Sequence, residues 1–202
     1  MTDIDPSYYK GMELIFQGRF AEAEPLLLEA LERNPDNPEL LCDLGLVYEN
    51  LSKWDDAETT FRNATEKGPE DQQTWIKLGR VLSRQKKLDD AVVAFRKAIG
   101  IDPENPFTWQ DLGYSYYEQG KWTDAEKAYS EAQQLYPEDL TTYFLLAQIH
   151  FAQERYGEAE REVRRVVSEE PDYKEGWSLL GDILEKLGRI NESKDAKNRG
   201  VI

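Results

Sequence analysis

The sequence predicts an all-α solenoid in which a pair of helices repeats every 34 residues, and three columns of residues at that spacing predict it. A proline that ends each unit recurs at Pro35, Pro69, Pro103, Pro137 and Pro171. Small residues recur at Gly11, Gly45, Gly79, Gly113, Ala147 and Gly181. Large apolar residues recur at Leu44, Leu78, Leu112, Leu146 and Leu180. A fixed period of about 20 to 50 residues is the signature of a repeat array.

The first helix of each unit is predicted from two apolar columns three positions apart. The leucine column is one, and the other comprises Leu41, Trp75, Trp109, Tyr143 and Trp177. Residues three apart lie on one face of a helix, so these columns predict a buried face. Asn37-Pro38 and Asn105-Pro106 predict an N-cap followed by proline at the first helical position.

The second helix is predicted from a small column and an apolar column four residues later. The small column comprises Ala23, Ala57, Ala91, Ala125 and Ala159. The apolar column comprises Leu27, Phe61, Phe95, Tyr129 and Val163. We expect the N-caps to be Ala21, Asp55, Asp89, Thr123, Gly157 and Asn191, with a capping box from Thr123 to Glu126. Pro25 is expected near the first turn of its helix, where amides lack acceptors in any case.

Two helices in one unit cannot bury both of their faces, so neighbouring units must stack into a continuous core. We divide residues 1–202 as a single domain with units at 4–37, 38–71, 72–105, 106–139 and 140–173, and a shortened unit at 174–202. Polar residues replace column residues in both end units, for example Lys10 in the first and Lys197 in the last. Such substitutions are typical of solvated end caps.

With these columns in place, residues 4–202 resemble the tetratricopeptide repeat (TPR) family. The resemblance implies a right-handed solenoid of antiparallel helix pairs, with five full repeats and a shortened sixth. It also implies a concave groove, lined by the first helices, that binds a peptide or helix of a partner protein. The chain departs from the TPR class that clamps chaperone tails, because Tyr8, Met12 and Asp43 stand where that class places Lys, Asn and Asn.

The columns that would line such a groove contain an aromatic group in repeats four and five. Its members are Phe107, Tyr114, Tyr117, Phe144 and Phe151. Aromatic side chains on an open surface are typical of anchor sites for a partner. The alternative is that these side chains partly fill the groove themselves.

Repeat three is basic and lies between two acidic repeats, and its candidate binding residues are Lys77, Arg80 and Arg84. Their spacing puts them on one helix face, where they would hold a carboxylate of the partner. Ion pairs within the array are the alternative for Lys77 and Arg84, whose columns contain acidic neighbours. The column of Arg80 places it between Leu46 and Tyr114.

The favoured function is therefore a non-catalytic adaptor for a peptide or protein with acidic and apolar residues. A second apolar group near the start comprises Tyr8, Met12, Ile15 and Phe16. Terminal repeats expose apolar surface for want of a neighbour. The rival hypothesis is a self-assembling scaffold, a homo-oligomer formed through the terminal repeats.

Composition disfavours several other classes of protein. A net charge of -15 repels nucleic acid, and the single cysteine and single histidine form neither a disulfide nor a four-ligand zinc site. There is no apolar run long enough for a membrane span and no leader-like start, so we expect a cytoplasmic protein. His150 falls in an apolar column and is expected in the core. We expect no enzyme activity, cofactor or metal.

Overall fold

The computed structural model describes residues 5–201, which form α-helices and no strand. The helices of this part of the chain are α1 (Pro6–Phe16), α2 (Phe20–Arg33), α3 (Pro38–Asn50), α4 (Trp54–Lys67), α5 (Gln72–Arg84), α6 (Leu88–Ile101), α7 (Pro106–Glu118), α8 (Trp122–Leu135), α9 (Leu140–Ala152), α10 (Tyr156–Glu169), α11 (Lys174–Lys186) and α12 (Ile190–Val201). Odd-numbered helices are the first helices of the repeats and even-numbered helices are the second. The predicted all-α class is confirmed.

The chain divides into two compact units, the first ending at Pro103 and the second beginning at Glu104. Each unit contains three helix pairs. In the first unit, one apolar cluster joins α1, α2 and α3 through Leu14, Ala23, Leu27, Ala30, Leu40, Leu44 and Val47. In the second unit, a cluster joins α9 to α12 through Ala147, Ala159, Val163, Val167, Leu180, Ile183, Leu184 and Ala196. The grouping of residues 1–202 into one domain stays a prediction.

The glycine column lies where the two helices of a pair make close contact. A Cβ atom on Gly79 would lie 2.6 Å from Cε1 of Phe95, and one on Gly45 would lie 2.7 Å from Cε1 of Phe61. Both rings are almost fully buried. The predicted close approach at the small residues is therefore confirmed, and the ring of the second helix occupies the space that a side chain would need.

The proline and tryptophan columns meet at the junctions between repeats. The indole Nε1 of Trp75 donates to the carbonyl of Pro69 at 2.9 Å, and that of Trp177 donates to Pro171 at 2.7 Å. The guanidinium of Arg199, on α12, lies 4.6 Å from the centre of the Trp177 ring. Each of these prolines follows the end of a second helix by two residues, as predicted.

The first helices begin at polar caps. The side chain of Asn37 accepts from the amide of Leu40, and that of Asn105 accepts from the amide of Phe107. Asp71 and Asp139 cap α5 and α9 in the same way. The two predicted Asn-Pro starts are therefore confirmed, and each cap satisfies amides that have no acceptor within the helix.

The predicted N-caps of the second helices are wrong. The structure starts these helices one residue before Ala21, Asp55, Asp89, Thr123, Gly157 and Asn191, so these residues are the second of each helix. The N-cap positions of α2, α4, α6, α8 and α10 hold Arg19, Lys53, Lys87, Lys121 and Arg155, whose side chains make no cap hydrogen bond.

Lys53, Lys87 and Arg155 contact the preceding second helix instead, whereas Arg19, in the first repeat, pairs with Glu22 of its own helix. Lys53 Nζ lies 2.6 Å from a carboxylate oxygen of Glu24, and Arg155 Nη1 lies 2.7 Å from one of Glu126. The predicted capping box is wrong for the same reason, because Glu126 pairs with Arg155 rather than with the backbone. Burial opposes ionisation of Glu126, but the hydrogen bond and charge of Arg155 hold its pKa below the ordinary value.

The turn within each repeat contains one residue with a left-handed backbone. The amide of that residue bonds to the carbonyl three residues back, and the next amide bonds five residues back, which together form a Schellman motif. Gly18, Gly120 and Gly188 occupy this position in three repeats. Ser52, Lys86 and Glu154 occupy it in the other three, with φ between 58° and 60°. A side chain at such a φ is sterically unfavourable, by about 1–2 kcal/mol.

Replacing Glu154 by glycine should therefore raise the free energy of unfolding by about 0.5–1 kcal/mol. Relief of the steric conflict exceeds the extra entropy that glycine loses on folding. Urea denaturation would measure the change. Glu154→Ala is the matched control, because it removes the same carboxylate and keeps the Cβ atom, and we expect no gain from it. A gain in the alanine variant equal to that in the glycine variant would contradict the backbone explanation.

Pro25 lies farther into its helix than predicted. Helix α2 begins at Phe20, so Pro25 is its sixth residue, and the expectation of a first-turn position is wrong. An amide at this position would donate to the carbonyl of Ala21, and proline removes that bond. The side chain is exposed, so no packing depends on the proline ring.

Candidate functional site

The three predicted basic residues lie on α5 in the first unit. Lys77 is half-buried, whereas Arg80 and Arg84 are exposed. The guanidinium carbon of Arg84 lies 5.5 Å from the centre of the Trp54 ring, a distance at which a cation and an aromatic face attract. Arg84 is therefore held towards the start of α4.

Lys77 lies near a polar group on α1 and α3. The hydroxyl of Tyr8 donates to Oδ2 of Asp43 at 2.7 Å. Burial raises the pKa of Asp43, while the bond from Tyr8 and the positive charge of Lys77 oppose the rise. Burial also raises the pKa of the neighbouring Cys42 thiol, which keeps it in the unreactive protonated form. Tyr8, Cys42, Asp43 and Lys77 thus form a half-buried polar cluster on the first helices of the first unit.

Two of the predicted aromatic residues are exposed together on α7. Phe107 is 53% exposed and Tyr114 is 44% exposed. They are seven residues apart, which places them on one face of the helix, two turns from each other. Leu112 and Gly113 of the same helix are buried. The outward face of α7 therefore presents aromatic side chains.

The other three predicted aromatic residues each contact a ring that lies outside the predicted group. Tyr117 contacts Trp122 with ring centres 5.1 Å apart, and Phe151 contacts Tyr156 at 5.6 Å. Phe144 contacts Tyr173 at 5.1 Å. Phe107 also has such a partner, Tyr136, at 6.3 Å.

The aromatic group is thus distributed over α7 and α9. Phe107 and Tyr114 share the outward face of α7, and the other three side chains lie in separate edge-to-face pairs. Trp122 and Tyr156 are the first residues of α8 and α10, and Tyr136 and Tyr173 lie in the connections between repeats. Tyr173 could have been found, because the earlier repeats have Asn or Asp in its place.

The apolar group near the start is also divided. Tyr8 and Ile15 pack against the core of the first unit. Phe16 is 85% exposed, and Tyr9, which follows Tyr8, is 60% exposed. Helix α1 therefore presents two large apolar side chains to solvent.

His150 lies in the core, as predicted. It is buried on α9, and its Nε2 lies 3.4 Å from a carboxylate oxygen of Glu126. Within residues 5–201, no group of His, Cys, Asp and Glu side chains is arranged to hold a metal ion. In the same part of the chain, every helix is too short or too polar to cross a membrane.

Two sequence profiles of the tetratricopeptide repeat match this chain, one at residues 8–51 and 42–106 and the other at residues 82–132 and 116–183. The chain belongs to the tetratricopeptide repeat family. The resemblance drawn from the residue columns is thereby confirmed. TPR arrays are in general non-catalytic scaffolds for protein interaction.

Solved TPR structures share the fold at low sequence identity. The C-terminal part of a TPR protein from Cytophaga hutchinsonii has a TM-score of 0.85 at 14% identity, covering 96% of this chain and 78% of that one. A TPR protein from Parabacteroides merdae has a TM-score of 0.82 at 17% identity, covering 95% and 78%. MamA from Desulfovibrio magneticus RS-1 has a TM-score of 0.78 at 20% identity, covering 82% and 93%. Comparison with curated proteins gives no match.

Proposed function

We propose that this chain is a non-catalytic adaptor that binds a peptide or helix of a partner protein on its first helices. The exposed aromatic face of α7, with Phe107 and Tyr114, is the observation that supports the proposal most strongly. Aromatic side chains that become buried on binding supply most of the affinity in such interfaces. We assign Tyr117, Phe144 and Phe151 to the same surface as supporting residues with less exposed rings.

The basic residues of α5 would contact acidic side chains of the partner. Arg80 and Arg84 are exposed, and Lys77 is three residues from Arg80 on the same helix. Exposed charges of this kind act mainly on the association rate and on the salt dependence of binding. The partner would therefore combine acidic and apolar residues. Absence of nucleic-acid binding and a cytoplasmic location stay predictions.

A peptide selected from a displayed random library would test the proposal. For that peptide, Tyr114→Ala should reduce the binding free energy by about 2 kcal/mol or more, measured by calorimetry. Arg80→Glu should also weaken binding, and this variant alone should flatten the dependence of affinity on salt. Tyr9→Ala, which removes an exposed tyrosine from α1, is the matched control and should bind like the parent protein.

The adaptor proposal would fail if Tyr114→Ala and Arg80→Glu both bound the peptide with parental affinity. Loss of peptide binding in Tyr9→Ala alone would move the binding surface to α1. A library that yields no binding peptide would also count against the proposal.

Self-assembly is a second candidate, and the exposure of Phe16 and Tyr9 on α1 favours it. Large apolar side chains that are mostly exposed are typical of contact surfaces between proteins. A self-assembling chain should show a mass that rises with concentration in sedimentation experiments, and Phe16→Ser should abolish the rise. A mass that stays monomeric in the parent protein at all concentrations would exclude this function.

A further inference from the structure

A pocket of about 250 Å³ lies in the second unit, where the connection from α8 to α9 meets the connection from α10 to α11. Three aromatic rings and three carboxylates contribute to its lining. The rings are Tyr136, Phe144 and Tyr173. The carboxylates are Glu138, Asp139 and Glu170.

Two of the three aromatic rings contact each other edge to face at the pocket. The ring planes of Phe144 and Tyr173 meet at 80°, with their centres 5.1 Å apart. Tyr136 is 40% exposed and lines the same pocket. Ring faces carry partial negative charge, and several faces around one space attract a cation that also has apolar surface.

The carboxylates give the pocket a negative field. Glu138 and Glu170 are exposed, and neither forms an ion pair with another residue in the 5–201 range. Asp139 also lines the pocket while it caps α9. Burial and the negative charges of Glu175 and Glu170 raise the pKa of Tyr173. A positively charged group would therefore be attracted to this pocket.

Tyr173 departs from the capping pattern of the other repeats. Asn37, Asp71, Asn105 and Asp139 cap the preceding first helices, and Tyr173 stands in the same position of α11 without a side-chain cap bond. Loss of an N-cap hydrogen bond destabilises the start of a helix. The sixth repeat thus lacks the N-cap hydrogen bond of the other repeats, and the Tyr173 ring lines the pocket instead.

Gly176 is a second departure, three residues later. Thr142 occupies the corresponding position of the preceding repeat, and a glycine inside a helix is unfavourable. A Cβ atom on Gly176 would lie 2.9 Å from Cδ1 of Tyr173 and 2.9 Å from Cγ1 of Val167. The glycine therefore leaves room for both side chains. A ring in place of the capping residue is locally unfavourable, and such a departure from the pattern of the other repeats indicates a function.

We propose that this pocket binds the alkylammonium end of a lysine side chain, with or without methyl groups on the nitrogen. The ammonium group lies against the rings and near Glu138 and Glu170, and the apolar stem contacts Phe144 and Tyr173. The assignment of this lysine to a partner protein rests on the proposed adaptor function. The binding of the ammonium group itself does not.

The test is an NMR titration of the full chain with three small probes. They are Nα-acetyl-lysine methylamide, its trimethyllysine analogue and the uncharged Nα-acetyl-norleucine methylamide. We expect both cationic probes to shift the resonances of Phe144 and Tyr173, and the norleucine probe to bind at least about tenfold more weakly. Comparison of the two cations shows whether methylation is required.

Tyr173→Asn is the decisive variant, because it removes the ring and introduces the capping residue found in earlier repeats. Its melting temperature should equal or exceed that of the parent, while its affinity for the cations falls about tenfold or more. Tyr9→Asn, a matched change on exposed α1, should bind like the parent. Glu170→Gln should lower the affinity for both cationic probes and leave the affinity for the norleucine probe unchanged.

Three results would overturn the proposal. The first is equal binding of the norleucine and lysine probes, the second is parental cation affinity in Tyr173→Asn, and the third is the absence of any shift at Phe144 and Tyr173. These results do not depend on a partner peptide. Failure of the pocket and failure of the proposed adaptor function are therefore distinguishable.

Discussion

Replacing Gly79 by leucine should lower the free energy of unfolding by about 3 kcal/mol or more. The first added atom, Cβ, would lie 2.6 Å from the ring of Phe95, and the leucine would add three more carbon atoms beyond it. The Phe95 ring is 1% exposed and is surrounded by the core, so it has no free rotamer to adopt. The two helices of the pair would have to separate. Urea denaturation monitored by circular dichroism would measure the loss.

Gly100→Ala is the control for this effect. Gly100 lies on α6, and a Cβ atom there would meet nothing within 4 Å. We expect this variant to gain about 0.5–1 kcal/mol, because alanine favours the helix and restricts the unfolded chain. Opposite signs at the two glycines would show that packing decides the outcome at Gly79. Unchanged stability in Gly79→Leu would contradict the assigned close contact.

Replacing Pro25 by alanine should stabilise α2 by about 3 kcal/mol, the next largest effect. The alanine restores an amide that can donate to the carbonyl of Ala21 and removes the clash of the proline ring with that carbonyl. No packing is lost, because the side chain at this position is exposed. In a repeat array the gain is local. Hydrogen exchange of the α2 amides, which should become slower, is therefore the appropriate measurement.

The reverse change at the corresponding position of another repeat provides the control. Lys127 is the sixth residue of α8 and is exposed, so Lys127→Pro should destabilise α8 by a similar amount. Lys127→Ala should stay within about 0.5 kcal/mol of the parent. Faster exchange of α2 in Pro25→Ala would show that the proline is favourable in its native setting.

The helix pairs, the buried faces and the caps of the first helices could be predicted from the sequence. These features depend on buried apolar residues and on local capping residues, and both kinds of residue recur every 34 positions. Gly79 illustrates this, since its column alone indicates a close contact that the Phe95 ring then makes. The caps at Asn37 and Asn105 follow from two adjacent residues.

The starts of the second helices could not be predicted in this way. The residue before each second helix directly follows the left-handed residue of the turn, and in several repeats its basic side chain reaches the preceding second helix. Lys53 and Glu24 show the pairing, which joins residues that no short motif connects. Only three of the six left-handed positions are glycine, so the turn itself is weakly marked.

The columns predicted which residues of the candidate site share a helix face, but they could not predict the ring pairs. Tyr136 and Tyr173 lie in the connections between repeats, where the chain is irregular. Their contacts with Phe107 and Phe144 follow from loop geometry. The exposure of the Tyr114 side chain likewise depends on how neighbouring helices pack, and a column of residues at one spacing does not predict that packing.

The contacts of Trp75 and Trp177 make their intrinsic fluorescence sensitive to local structure. Trp75 is bonded to the carbonyl of Pro69 in the first unit, and Trp177 is bonded to that of Pro171 in the second. Trp177 also lies beneath Arg199 of α12, so its emission depends on whether that helix is docked. A variant that retains Trp177 alone would emit at longer wavelength as α12 separates, and one that retains Trp75 alone would stay unchanged. Fluorescence of Trp177 can thus follow the separation of α12 from α11 without an attached dye.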